Sequence, residues 1–127
     1  GCFARGSWND GRTETYSFAE IERSLVVGAV MKGPLWRRPG DSAGAAWVMN
    51  GLSPEHRRYL VQGGLGFLIG DGQLVRYRPE QILEIYYSAA ACRGLWLTFD
   101  FQHIANPAYN ADRGPVNFFG IRLHLET

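Results

Sequence analysis

Residues Val116 to Glu126 sort cleanly by parity, with Phe119, Ile121, Leu123 and Leu125 on one side and Arg122, His124 and Glu126 on the other. Period-two side chains point to opposite faces of a sheet, so such a segment is a half-buried strand. The same pattern sets Leu95, Leu97, Phe99 and Phe101 against Trp96, Thr98, Asp100 and Gln102. It sets Leu83, Ile85, Tyr87 and Ala89 against Glu84, Tyr86 and Ser88, and Leu25, Val27, Ala29 and Met31 against Ser24, Gly28 and Lys32. Ala45 to Asn50 and Cys2 to Trp8 are shorter or less regular copies. The alternation predicts an all-β antiparallel fold of about six strands.

Composition narrows the setting. The chain is 46% hydrophobic with a formal net charge of +1, which fits one ordered domain and lacks the basic footprint of a nucleic-acid binder. The longest clean apolar stretch, Leu25 to Met31, falls far short of the roughly 18 residues of a membrane helix, whereas a crossing by strands stays open. Half-buried alternation also occurs in soluble antiparallel sandwiches. Length and connectivity separate the two. Barrel spans need about 9 to 11 residues against about 5 to 6 for soluble strands, and four of the runs approach the longer figure.

The connections form an up-and-down order. Long ones at Asn9 to Glu22, Gly51 to Pro79 and Ala105 to Pro115 alternate with a shorter one at Pro34 to Ala43 and a tight one around Cys92 to Gly94. Long loops on one rim and short turns on the other are the layout of an outer-membrane barrel. Lys32 and Arg122 obey it by falling opposite to their apolar neighbours, since a cation facing lipid at mid-depth costs about 2 to 4 kcal/mol. Backbone groups in lipid must all be paired, and the smallest closed bacterial barrels have about 8 strands. Residues 1–127 are therefore expected to be part of a single larger barrel domain.

The longest connection carries its own helix signal: Ser53 as cap, Pro54 at the first position, Glu55 in the first turn and Gly63-Gly64 at the end. Two to three turns are expected, either packed locally or folded toward the pore. In the second case Arg57 and Arg58, with Arg113 from the last loop, would line a constriction. Gly64 to Gly70 fails the dinucleotide fingerprint in spacing and context, and Asp71-Gly72 predicts a small hairpin joining Phe67–Ile69 to Leu74–Tyr77. Cys2 and Cys92 fall three strands apart, so two free thiols are expected. His56, His103 and His124 are scattered over a loop and two strand ends, and a shared metal is not expected.

Several runs carry a family resemblance. Asn50-Gly51-Leu52-Ser53, His56-Arg57-Arg58-Tyr59-Leu60, Gly63-Gly64-Leu65-Gly66-Phe67, Gly70-Asp71-Gly72, Glu84-Ile85-Tyr86-Tyr87 and Asn106-Pro107-Ala108-Tyr109-Asn110-Ala111-Asp112-Arg113-Gly114-Pro115-Val116 resemble the C-terminal part of carbohydrate-selective outer-membrane porins of the OprB type. The resemblance covers nearly the whole chain. It implies about six strands of a barrel of about 16 in a Gram-negative outer membrane. Sugars would pass by diffusion without a cofactor, with the remaining N-terminal strands and outer-membrane lipid as partners; the oligomeric state stays open, a homotrimer being one candidate assembly. One departure is that these residues finish on Leu125-Glu126-Thr127, where outer-membrane barrels usually finish on an aromatic.

On this reading Glu84, Asp100, Gln102, Arg122 and His124 line the pore and hydrogen-bond sugar hydroxyls, while Tyr86 and Trp96 offer aromatic faces. Trp96 has an alternative place at the rim, and Trp8, Trp36 and Trp47 are expected in girdles or loops. The charges have two readings: a ladder in which Asp100 or Glu84 pairs with Arg122, or a transverse field that selects solutes. Two other classes remain. If Ala90 faced Gly94, Glu84 would lie opposite Asp100 at about 4.5 to 5.5 Å, the separation of a retaining glycosidase's carboxyl groups. A soluble all-β carbohydrate-binding or interaction module would instead stay in solution without detergent and bury both sheet faces.

Overall fold

The computed structural model describes residues 1–13, 20–66, 74 and 76–126. It contains six strands: β1 (Cys2–Trp8), β2 (Arg23–Lys32), β3 (Ser42–Gly51), β4 (Glu80–Cys92), β5 (Leu95–Ala105) and β6 (Val116–Leu125). They lie in chain order in one antiparallel sheet. The strands run longer than the parity pattern indicates: 13 residues for β4, whose Ala89-Ala90-Ala91 run carries no polar alternation to read, and 11 for β5, which continues through His103, Ile104 and Ala105. A register shift between Ala90 and Cys92 ends the regular pairing, and the tight turn is Arg93-Gly94. The three long connections share one rim and the two short ones the other.

The helix, α1 (Pro54–Val61), has just over two turns. The Ser53 hydroxyl accepts from the His56 N–H at 3.1 Å, as the sequence signal requires. Most of the expected hairpin at Phe67–Ile69 and Leu74–Tyr77 lies outside the described residues. Tyr77 itself forms an isolated antiparallel bridge with Asn110 of the last connection.

Register places the apolar parity of every strand on one face. Val27, Trp47, Leu83 and His103 lie level across β2 to β5. The outward apolar run covers Leu25 to Met31 on β2 but Leu95 to Phe101 on β5, whose upper end is level with Ala29. The apolar band thus slips by four residues over three strand intervals. Four residues are about 13 Å and three intervals about 14 Å, so the band crosses the strands at the angle given by a tilt of about 40°. Strands of membrane barrels tilt by about 35 to 45°.

No second layer covers either face of the sheet among the described residues. The buried hydrophobic side chains are Leu52, Leu60, Leu74 and Tyr109, all in connections or α1, while Phe119 and Ile121 on β6 stay 82% and 75% exposed. A water-soluble sheet of this size would bury one face against another layer. The burial expected of a soluble module is not found among the described residues. Cys2 and Cys92 are both free and exposed at the short-turn rim. Titration with a chromogenic thiol reagent in denaturant, without reductant, is expected to count two thiols per chain; none would reveal a disulfide.

Candidate functional site

The polar face of the sheet collects seven residues singled out from sequence. Its centre is a patch on β4 and β5. Glu84 stands opposite Gln102, and Tyr86 opposite Asp100. The Gln102 amide donates from Nε2 to Glu84 Oε2 and to Asp100 Oδ2, each at 3.4 Å. This corrects the facing pair of carboxylates: the register is two residues away from the one that sets Glu84 against Asp100. Sequence cannot fix that register because the turn is one residue tighter and the bulge follows an alanine run. The glycosidase geometry loses its basis, and the two acids are neighbours joined through an amide.

Arg122 stands opposite Thr98, whose hydroxyl donates to Ser88 Oγ at 2.9 Å. Among the described residues Arg122 makes no ion pair with Asp100 or Glu84, so the expected charge ladder is absent. The cause is register: the residue facing Asp100 on β6 is Gly120. Trp96 belongs to the rim. Its indole N–H donates to the Gly40 carbonyl at 3.3 Å, and its ring lies 5.5 Å from that of His124.

Both rims are built more firmly than the sequence suggests. At the short-turn rim the buried Asp41 accepts from Arg38 Nε at 2.5 Å, from the Ala90 N–H at 2.9 Å and from the Tyr87 hydroxyl. Trp36 Nε1 donates to the same hydroxyl at 3.2 Å. These partners hold the Asp41 carboxyl at about 2, with the hydrogen bonds from Arg38 and Tyr87 the main causes. Asp41 therefore stabilises the fold fully above its unfolded pKa of about 3.9 and loses that contribution as pH falls toward about 2. In a comparison of native protein and Asp41→Asn, the difference in unfolding temperature is expected to shrink between about pH 4 and pH 2; a constant gap would refute the assignment.

At the long-loop rim Glu22, buried, accepts from the Ser53 N–H at 3.1 Å and pairs with His56 Nδ1 at 2.5 Å. Tyr109 stacks on Tyr77 with ring centroids 6.4 Å apart and donates its hydroxyl to the Glu20 carbonyl at 2.6 Å. Glu80 accepts from Asn50 Nδ2 at 3.4 Å and from the Ala108 N–H at 3.0 Å. Arg57 lies 4.6 Å over the Tyr77 ring, and with Arg58 it edges an open depression along α1. Arg113 is apart from that depression, its backbone N–H bonded to the Asn110 carbonyl. Of the three arginines expected at a constriction, two thus edge one depression and the third lies outside its lining.

Asp41, Glu22 and Tyr109 went unnoticed as site-forming residues. Only the Asn106-to-Val116 run gave a signal, and that came through resemblance. Among the described residues no three metal-ligating side chains converge.

This geometry coincides with a family match. Residues 1–126 match the family described as carbohydrate-selective porin, OprB family. The chain belongs to the OprB family. Two curated relatives, each a Porin AaxA, agree with this. The one from Chlamydia abortus (strain DSM 27085 / S26/3) is 27% identical over 122 residues, covering 96% of this chain and 23% of that protein. The one from Chlamydia caviae (strain ATCC VR-813 / DSM 19441 / 03DC25 / GPIC) is 28% identical over 120 residues, 94% of this chain and again 23% of the relative. This OprB-family chain thus spans about a quarter of the length of those relatives. No solved structure matches it significantly.

Proposed function

We propose that the chain forms the C-terminal wall of an outer-membrane porin through which small sugars diffuse. Its polar parity faces a water-filled lumen and its apolar parity faces lipid. The single observation that carries this reading is the sheet itself: one apolar face, uncovered, whose band crosses the strands at the slope a tilted barrel needs. Among the described residues the outer strands β1 and β6 each have one unpaired edge, which further strands of the same barrel, about 16 in all, would close. A bacterial outer membrane is the setting, and a homotrimer the assembly.

Inside the lumen, Glu84, Asp100 and Gln102 exchange hydrogen bonds with sugar hydroxyls in place of shed water. Tyr86 supplies an aromatic face, and Trp96 with His124 lines the exit at the short-turn rim. Arg122, on the same face of the neighbouring strand and opposite Thr98, adds a positive charge beside the acids and so a field across the pore wall. Arg57 and Arg58, and Arg113 from the neighbouring loop, stand at the outer mouth. Diffusion needs no cofactor.

The complete porin, reconstituted in liposomes, tests this. Glucose and other monosaccharides are expected to enter and swell the vesicles at rates well above protein-free controls. Vesicles that admit salt but exclude every sugar would overturn the transport reading.

A further inference from the structure

We propose that Tyr86, lying across Gly44 with Asp100, Glu84 and Gln102 along its other side, forms a subsite for a neutral pyranose. The proposal rests on the lumen reading above and adds a place, an orientation and a charge preference to it.

Gly44 is what seats the ring. It is the direct cross-strand partner of Tyr86, and a β-carbon there would overlap the ring, lying 2.8 Å from Cζ and 3.0 Å from the hydroxyl oxygen. The ring thus rests over backbone that any other residue would cover. Its neighbours along β3 on the same face are Ser42 and Ala46, so nothing tall rises on that side. On the other side stand the hydrogen-bonding groups: Asp100 directly opposite, with Glu84 and Gln102 one step along.

A pyranose needs this combination, an apolar ring for its C–H face and acceptors and an amide at the edge for its hydroxyls. The Asp100 carboxylate is short of donors among the described residues: Oδ2 has only the 3.4 Å bond from Gln102, and Oδ1 is buried without a partner. Two carboxylates with no arginine ion-paired to them among the described residues repel an anion, so a sugar acid of the same ring is disfavoured.

The sheet supplies its own control. Phe3 lies over Gly28 in the same way, with a β-carbon there 2.6 Å from the ring. Its flanking residues on that face of β2, however, are Val26 and Val30, which offer hydroxyls nothing.

The test is glucose titration against ion current through the complete porin in planar bilayers, with folding checked by the heat-dependent gel mobility of each variant. Tyr86→Ala is expected to weaken glucose binding about two- to tenfold, the worth of one ring contact. Phe3→Ala should bind as the native protein does, and Gly44→Ala should resemble Tyr86→Ala. Native protein should bind glucuronate more weakly than glucose. Glucose binding that is unchanged in folded Tyr86→Ala would overturn the subsite while leaving sugar passage standing. Absence of any glucose effect in the native porin, together with vesicles impermeable to sugar, would remove both.

Discussion

Tyr109→Ala is expected to cost about 3 to 5 kcal/mol locally and to release all three long loops at once. Its ring is 4% exposed and closes the cluster with Leu52, Leu60 and Leu74, and its hydroxyl holds the Glu20 carbonyl of the first loop. Burial pushes that hydroxyl well above the usual phenol range, so it stays protonated and keeps donating at neutral and mildly alkaline pH. The backbone around it is strained: Asn106, Ala108 and Tyr109 have φ of 52°, 54° and 62°. Such left-handed residues cost about 1 to 3 kcal/mol each and persist only where neighbours hold them. The holders are visible in the bonds from Asn106 Nδ2 to the Pro79 carbonyl and from the Ala108 N–H to Glu80, both at 3.0 Å. Limited proteolysis of the complete porin reads the outcome. The alanine variant should be cut in each long loop at protease levels that spare the native protein, while the strands survive. Tyr109→Phe, which keeps the ring and loses one hydrogen bond worth about 1 kcal/mol, should be cut far less. Equal protection in all three proteins would mean the loops do not depend on this residue.

Phe99→Arg is expected to cost about 2 to 4 kcal/mol or to stop assembly, whereas Thr98→Arg next to it should be tolerated. Phe99 lies midway in the outward apolar run of β5, so its replacement puts a guanidinium at lipid mid-depth; Thr98 points to the polar face, where water meets the new charge. Refolding yields into detergent or lipid, scored by gel mobility before and after heating, would compare the pair. The contrast matters because one residue separates the two changes and they differ only in the face presented. If both were equally harmful, or if the order were reversed, the assignment of faces would fail.

Most of the sheet was legible in the sequence because parity is a local signal. Leu95 to Gln102 declares its two faces without help from any other strand, and Ser53-Pro54-Glu55 declares a helix start. Register is a different matter. It depends on the count of residues in a turn and on bulges, and the featureless Ala89-Ala90-Ala91 run conceals both; the pairing of Glu84 was misplaced by two residues for that reason. Asp41 escaped because its importance comes from partners 46 and 49 residues away, Tyr87 and Ala90. Tyr109 escaped as a site-forming residue because its role is collective, with contacts drawn from three connections. Tyr86 could be picked as inward and aromatic, but the glycine beneath it becomes meaningful only once β3 and β4 are aligned.

The buried cluster around Tyr109 joins the three hairpins β1–β2, β3–β4 and β5–β6 at their long-loop ends. Sheet hydrogen bonds alone would let neighbouring hairpins slide or splay with some independence. Riveted at the top, they must breathe in concert, so this wall behaves as a stiffened panel held by side-chain packing above the strands as well as by the ladder between them.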